Sequence, residues 1–390
     1  MSGRRPDPGT VRITAGEQPA RRGWEVWLAV ILAAAIAGTS AAAFAASGNG
    51  SRTEAETAAD APASELRLGY FGNVTHAPAL AGVQNGFLAE RLRAQGGTKL
   101  STQVFNAGPA AIEALNAGAI DAAYLGPNPA INSFVQSGGE SISVIAGATA
   151  GGAQLVAKPE IVSGTQLKDK VLATPQLGGT QDVALRAYLR SQGLSFGPDD
   201  GDVTINPTEN AQTLKLFQDG KLDGAWLPEP WASRLVLEAG AKVLVDEADL
   251  WDGTLAGKPG QFSTTVLVVN REFAAAHPQA VDALLQGHVD AIGWLNDAPA
   301  GEQAAVVNAG LKEAAGAALP ENVVTRALGN IEFTPDPLAG SYPKLLQDGV
   351  DAGLSKPADL TGLFDLAALN RILAAGSTHE PVTAAGLGAE

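Results

Sequence analysis

No cysteine occurs among the 390 residues. That single absence removes structural disulfides, thiolate metal sites, cysteine nucleophiles and a lipid-modified N-terminal cysteine. Histidine is scarce: His76, His277, His288 and His379 are the only four, and none forms a His-x-x-x-His or similar pair, so no metal site is expected. Basic residues are outnumbered, 26 Lys and Arg against 41 Asp and Glu, for a formal charge of −15, and no basic cluster follows residue 22. Such a surface disfavours nucleic acid and anionic lipid headgroups. There is no Gly-x-Ser-x-Gly elbow, and Gly178-Gly179-Thr180 lacks the Lys-Ser/Thr ending of a nucleotide-binding loop. Glu229 and Asp182 are carboxylates with no nucleophile assigned to them. Neither an enzyme nor a cofactor is therefore expected.

What is present begins with a leader. Arg4, Arg5, Arg12, Arg21 and Arg22 precede an uncharged run from Val26 to Ser51, within which Ala43-Phe44-Ala45 has the small-x-small pattern of a signal-peptidase site. Residues 1–49 read as a signal peptide or an uncleaved membrane anchor, and either places the remainder outside the cytoplasm. Residues 50–64 are a polar linker of small residues.

From Leu66 onward, short apolar runs alternate with stretches of helical length, the pattern of parallel α/β sheets. One segment occurs twice. Gly118-Ala119-Ile120-Asp121-Ala122-Ala123-Tyr124-Leu125 is echoed 102 residues later by Gly220-Lys221-Leu222-Asp223-Gly224-Ala225-Trp226-Leu227. A fixed-distance echo implies two similarly built lobes, each a small doubly wound sheet. Strands are predicted near 66–71, 100–105, 120–125 and 141–146, then near 170–174, 203–205, 222–227 and 242–245. Helices lie between them, the first near 77–93. Two apolar segments, Ala146–Val156 and Phe262–Val269, read as crossings, the second containing a strand that returns to the first lobe. The expected boundaries are 65–149 with 264–376 for lobe 1, 150–263 for lobe 2, and a disordered tail over 377–390.

In open parallel sheets ligands bind beyond the carboxyl ends of the strands. That rule nominates loops carrying Asn73, Thr75, His76, Asn106, Gly108, Asn128, Gln176, Gly179, Thr180 and Gln181, with Trp226, Glu229 and Trp231 from the end of the second repeat. The loops hold amides, hydroxyls and glycines but no Lys or Arg, and several immediately precede a helix. Helix N-termini with neutral donors suit a small monovalent oxyanion, whereas phosphate dianions more often recruit Arg. Each residue taken singly is also an ordinary cap or turn, and Tyr124 and Trp226 are equally at home in a core.

The chain resembles the extracytoplasmic substrate-binding proteins of ABC importers in the aliphatic sulfonate, taurine and nitrate group. The resemblance rests on Leu68-Gly69-Tyr70, on Phe105-Asn106-Ala107-Gly108-Pro109 with Ile112 to Asp121, on Leu125-Gly126-Pro127-Asn128-Pro129, and on Asp223-Gly224-Ala225-Trp226-Leu227-Pro228-Glu229-Pro230-Trp231. It implies a two-lobed type II periplasmic-binding fold of two doubly wound sheets joined by two crossing segments. It also implies a monomer that delivers a sulfonate-like anion to an ABC permease and, through it, a cytoplasmic ATPase. Asn106, Gly108, Asn128, Gly179, Thr180 and Gln181 would surround the sulfonate, with Trp226 and Trp231 beside its organic part. Nitrate, taurine and vitamin or pyrimidine precursors are ligands of similar proteins, and thiamine-pyrimidine synthases share the fold.

Overall fold

The computed structural model describes residues 62–197, 201–376 and 380–390. The expected leader and most of the linker lie outside them. Among the described residues no helix is long and apolar enough to cross a membrane.

Lobe 1 opens with β1 (Glu65–Phe71), α1 (Ala77–Gln84), α2 (Phe87–Ala94), β2 (Lys99–Phe105), α3 (Gly108–Asn116), β3 (Ala122–Leu125), α4 (Pro127–Gln136) and β4 (Ile142–Gly151). The single helix predicted near 77–93 is two, because Gly86 sits in the left-handed region at φ 79° between α1 and α2. The chain then crosses into lobe 2 through β5 (Ala153–Ala157), β6 (Lys170–Thr174), α5 (Thr180–Ser191), β7 (Val203–Pro207), α6 (Asn210–Gln218), β8 (Gly224–Pro228), α7 (Trp231–Ala239) and β9 (Lys242–Asp246). It returns as β10 (Ser263–Asn270). On lobe 1 it adds α8 (Arg271–Ala276), α9 (Pro278–Asp297), α10 (Ala300–Ala315), α11 (Glu321–Leu328), β11 (Ile331–Phe333), α12 (Tyr342–Asp351), β12 (Phe364–Asp365), α13 (Ala367–Gly376) and β13 (Gly388–Ala389).

The two sheets share one topology. Lobe 1 contains the order β2-β1-β3-β10-β4 and lobe 2 the order β7-β6-β8-β5-β9. In each, the fourth position is antiparallel to both neighbours and is filled by the strand that has just crossed from the other lobe. Ala153–Ala157, expected as part of a connection, is thus itself a central strand. Its five residues are all buried, as a strand covered on both faces requires.

The repeated motif is a strand pin. Gly118 and Gly220 end helices in the left-handed region at φ 66° and 72°. The following Asp then binds the neighbouring first strand twice. Asp121 accepts from the Arg67 backbone N–H at 2.7 Å and donates its own N–H to the Arg67 carbonyl at 2.8 Å. Asp223 does the same with Val171, at 2.9 and 2.8 Å. A cation completes each, Arg67 in one lobe and Lys158 in the other.

The disordered tail expected over 377–390 is overturned for residues 380–390. β13 pairs in parallel with β12. Asn370 grips Val382 in both directions, Nδ2 donating to its carbonyl at 2.9 Å and Oδ1 accepting from its N–H at 2.8 Å. Buried Val382 and Ala384 anchor the segment, apolar contacts too short to produce a visible period.

Candidate ligand site between the lobes

The carboxyl ends of β1, β2 and β3 face those of β6, β7 and β8, and a cavity of about 40 Å³ lies where their loops meet. By the same measure one water needs about 10–15 Å³, so the space suits a group of a few heavy atoms. Nine of the thirteen nominated residues line it: Asn73, Thr75, His76, Asn106, Gly108, Gln176, Gly179, Thr180 and Gln181. Among the described residues no Lys, Arg, Asp or Glu lines it.

Four helices begin at this cavity. Gly108 opens α3, Gly126 and Pro129 flank the start of α4, Thr180 opens α5 and Asn210 opens α6. First-turn N–H groups have no carbonyl four residues back, so the helix starts present donors and a partial positive charge. His76 adds another. It is buried, and its Nδ1 accepts from the Phe71 N–H at 3.3 Å, which leaves the ring hydrogen on Nε2. Burial holds its pKa down to about 3, so the ring is a neutral donor at any working pH.

Two polar atoms at the cavity lack partners. Thr265 Oγ1 and Asn210 Oδ1 are buried and hydrogen-bonded to nothing, and both residues line the space. Buried polar groups are normally paired; a Thr hydroxyl donates equally well, and rotating the Asn210 amide presents its NH₂. Thr265 sits on the returning strand and Asn210 at the first position of α6, places that loop-based inference did not cover. The paired threonines opening an otherwise aliphatic strand were the signal available in the sequence.

The lobes touch directly around the cavity. Asn106 Nδ2 donates to Glu209 Oε1 at 2.8 Å, Trp231 Nε1 to Asn73 Oδ1 at 2.9 Å, and the Asn128 N–H to Thr180 Oγ1 at 3.4 Å. Gly126 permits this approach, since a Cβ there would stand 2.3 Å from Thr180 Oγ1.

The other four nominated residues lie elsewhere. Trp226 is fully buried in the lobe 2 core against Tyr188, with Nε1 donating to Glu247 at 2.8 Å. Both faces of its strand are covered, so an aromatic at the strand end turns into the sheet packing. Glu229 is also fully buried. It accepts from Arg326 Nη1 at 3.0 Å, Asn330 Nδ2 at 2.6 Å and the Ser233 N–H at 3.0 Å, and it ties α11 to lobe 2 instead of meeting a ligand. Burial pushes its pKa up, against the pull of Ser233, Asn330 and Arg326. Asn128 spends its Nδ2 on the Leu345 carbonyl at 3.0 Å. Trp231 lines a neighbouring chamber of about 540 Å³ under the Arg234 guanidinium. Tyr124, the counterpart of Trp226, donates to His288 Nδ1 at 2.9 Å, because His288 Nε2 is committed to the Gly147 carbonyl at 2.7 Å. Among the described residues no cluster suits a metal ion.

Two lobes of shared topology, connected by reciprocal crossings and closing on a polar but uncharged cavity, define the two-lobed periplasmic-binding class. The chain belongs to the NMT1-like family, whose model matches residues 59–309. It is 27% identical over 198 residues to the taurine-binding periplasmic protein of Escherichia coli strain K12, covering 50% of this chain and 58% of that one. The chain thus spans less than two thirds of that relative's length. The fold matches the alkanesulfonate-binding protein of Xanthomonas axonopodis pv. citri bound to MOPS, with a TM-score of 0.60 at 23% identity over 76% of this chain and 96% of that one. It also matches the periplasmic nitrate-binding protein of Synechocystis PCC 6803, with a TM-score of 0.62 at 16% identity, covering 77% and 84%.

Proposed function

We propose that this chain is the exported solute-binding component of an ABC importer, and that its ligand is a small organic anion, an aliphatic sulfonate. It would deliver that ligand to a membrane permease driven by a cytoplasmic ATPase. The observation that carries this is the cavity lining: helix starts, hydroxyls, amides and a neutral imidazole, with no charged side chain. A monovalent oxyanion can be stripped of water there by neutral donors. A phosphate dianion would lack the cation it needs. A neutral heterocycle would leave the helix starts without negative charge.

Ligand contacts to both lobes would stabilise the closed arrangement, so binding and closure are one equilibrium. The test is thermal unfolding of the full chain with ethanesulfonate, taurine, nitrate, sulfate and a pyrimidine. At a hundred times Kd a ligand adds about 2.7 kcal/mol. For a body of this size that is about 4 °C in Tm. A shift with sulfonates supports the proposal; a shift with the pyrimidine alone refutes it.

A further inference from the structure

Three amides line both the cavity and the neighbouring chamber of about 540 Å³: Asn73, Asn106 and Asn210. Asn210 Oδ1 has no partner, and Asn106 is exposed, held by the Glu209 carboxylate. Asn73 is different. It is 6% exposed, and its Oδ1 accepts from Trp231 Nε1 at 2.9 Å across the cleft. An indole N–H can only donate, so the arm of the amide that faces it must be the oxygen; turning the amide over would set two donors against each other. The arm left over is the donor Nδ2. Trp231 lines the chamber and not the cavity, so the oxygen is drawn to the chamber side and the NH₂ is turned toward the cavity.

Both partners are committed to this contact. Asn73 is the N-cap residue of the short 3₁₀ turn Val74–His76, where an Asn side chain ordinarily accepts from the backbone, yet it caps nothing there. The turn is closed by the main chain instead, the His76 N–H donating to the Asn73 carbonyl at 3.0 Å. The indole is clamped from its own lobe. The Arg234 guanidinium carbon lies 4.7 Å from the ring centroid, and Arg234 Nε is held by both oxygens of Glu238. A second bond between the lobes, from the Thr75 N–H to the Glu229 carbonyl at 3.4 Å, runs between the residues two positions from each partner and fixes the register in which amide and indole meet.

We propose that Trp231 is a positioning residue: on closure its Nε1 fixes the Asn73 amide with Nδ2 toward the cavity, where that group donates to the bound anion. Trp231 belongs to lobe 2 and Asn73 to lobe 1, so the donor is set only in the closed arrangement, and in the open one the amide turns freely. The indole thus acts on ligand release without touching the ligand. This rests on the anion assignment of the cavity.

The test is a double-mutant cycle on the full chain, read as Kd by calorimetry and as release rate by stopped-flow tryptophan fluorescence, with ethanesulfonate and nitrate as probes. Trp231→Phe keeps an aromatic ring beside Arg234 and removes the N–H. It should weaken binding about tenfold, the factor that 1.4 kcal/mol gives, through faster release, with the association rate changed by less than about twofold. Asn73→Leu should weaken binding at least as much. Adding Trp231→Phe to it should change nothing further, because the indole then has no amide to set. Losses that add in the double variant, a loss carried by slower association, or wild-type affinity in either single variant would each overturn the inference. If nitrate binds and ethanesulfonate does not, the sulfonate reading fails, while the cycle run with nitrate still decides the role of Trp231. If neither probe binds the unmodified chain, both fall.

Discussion

Arg326 is the cation whose removal has the most defined cost. Its guanidinium donates to Glu229, to Ser233 Oγ and to Gln154 Oε1, and so binds α11 to β5, the turn after β8, and α7 of lobe 2. Glu229 is 0% exposed while Arg326 is 24% exposed, so the two partners are unequal. Arg326→Met leaves a carboxylate in the interior with only Asn330 and Ser233 for company. Breaking such a pair costs about 3–5 kcal/mol. With an unfolding entropy of about 0.7 kcal/mol per degree for this length, the Tm should fall about 4–7 °C at pH 8. The sign of the pH dependence follows from Glu229. Burial already raises its pKa, and losing the guanidinium raises it further. A carboxyl with a raised folded pKa destabilises the fold as pH rises above its unfolded value, so the deficit should shrink when the variant is unfolded near pH 5. Glu229→Gln should cost less, since Arg326 can turn to water. Thermal unfolding followed by circular dichroism at both pH values decides. Equal losses at both, or no loss, would mean that packing and not charge is what Arg326 contributes.

Other expectations follow from particular contacts. Trp226→Ala should destabilise by about 3–5 kcal/mol in urea titration, leaving ligand affinity within about twofold; the reverse pattern would return that residue to the ligand site. Gly126→Ala sets a methyl against Thr180 and should weaken ligand binding by about tenfold or more, with the ligand-free Tm little changed. His76 and His288 are held neutral, at about 3 and 4 against 6.5 unfolded. Below 6.5 the unfolded chain binds the extra protons, so each removes about 1.4 kcal/mol per pH unit as pH falls toward those values. Glu247, raised to about 7 from 4.5, acts oppositely between those values and returns about as much. Glu229, raised by burial, acts in the same sense as Glu247, so the histidine share is read by difference: His288→Gln should lessen the loss of stability on acidification between about pH 6.5 and 4.5, and an unchanged acid slope would contradict the buried-histidine assignment.

The alternation of apolar runs and helical stretches located the strands of both sheets except β5, β11, β12 and β13, and the Gly-x-x-Asp echo pointed to the paired lobes, because those features are set by local periodicity. The loop-based nomination reaches the cavity lining where backbone position decides: helix starts at Gly108 and Thr180 sit at the carboxyl edge whatever follows them. It failed where side-chain direction decides. Trp226 and Glu229 stand at the same edge, yet one turns into the lobe core and the other meets Arg326, a residue 97 positions away. Thr265 and Asn210 were not nominated because one lies within the returning strand and the other is the first helical residue after the Asn206–Glu209 loop, so neither falls in a loop segment. The ordered segment 380–390 is held by one asparagine and two small apolar contacts, which leave no periodic trace.

Titrating the full chain with ethanesulfonate, with sulfate as the matched dianion, tests the uncharged cavity most directly. One-to-one binding of the sulfonate, lost in Thr180→Val and much weaker or absent for sulfate, is the predicted result. Tighter binding of sulfate, or sulfonate binding untouched by Thr180→Val, would contradict it.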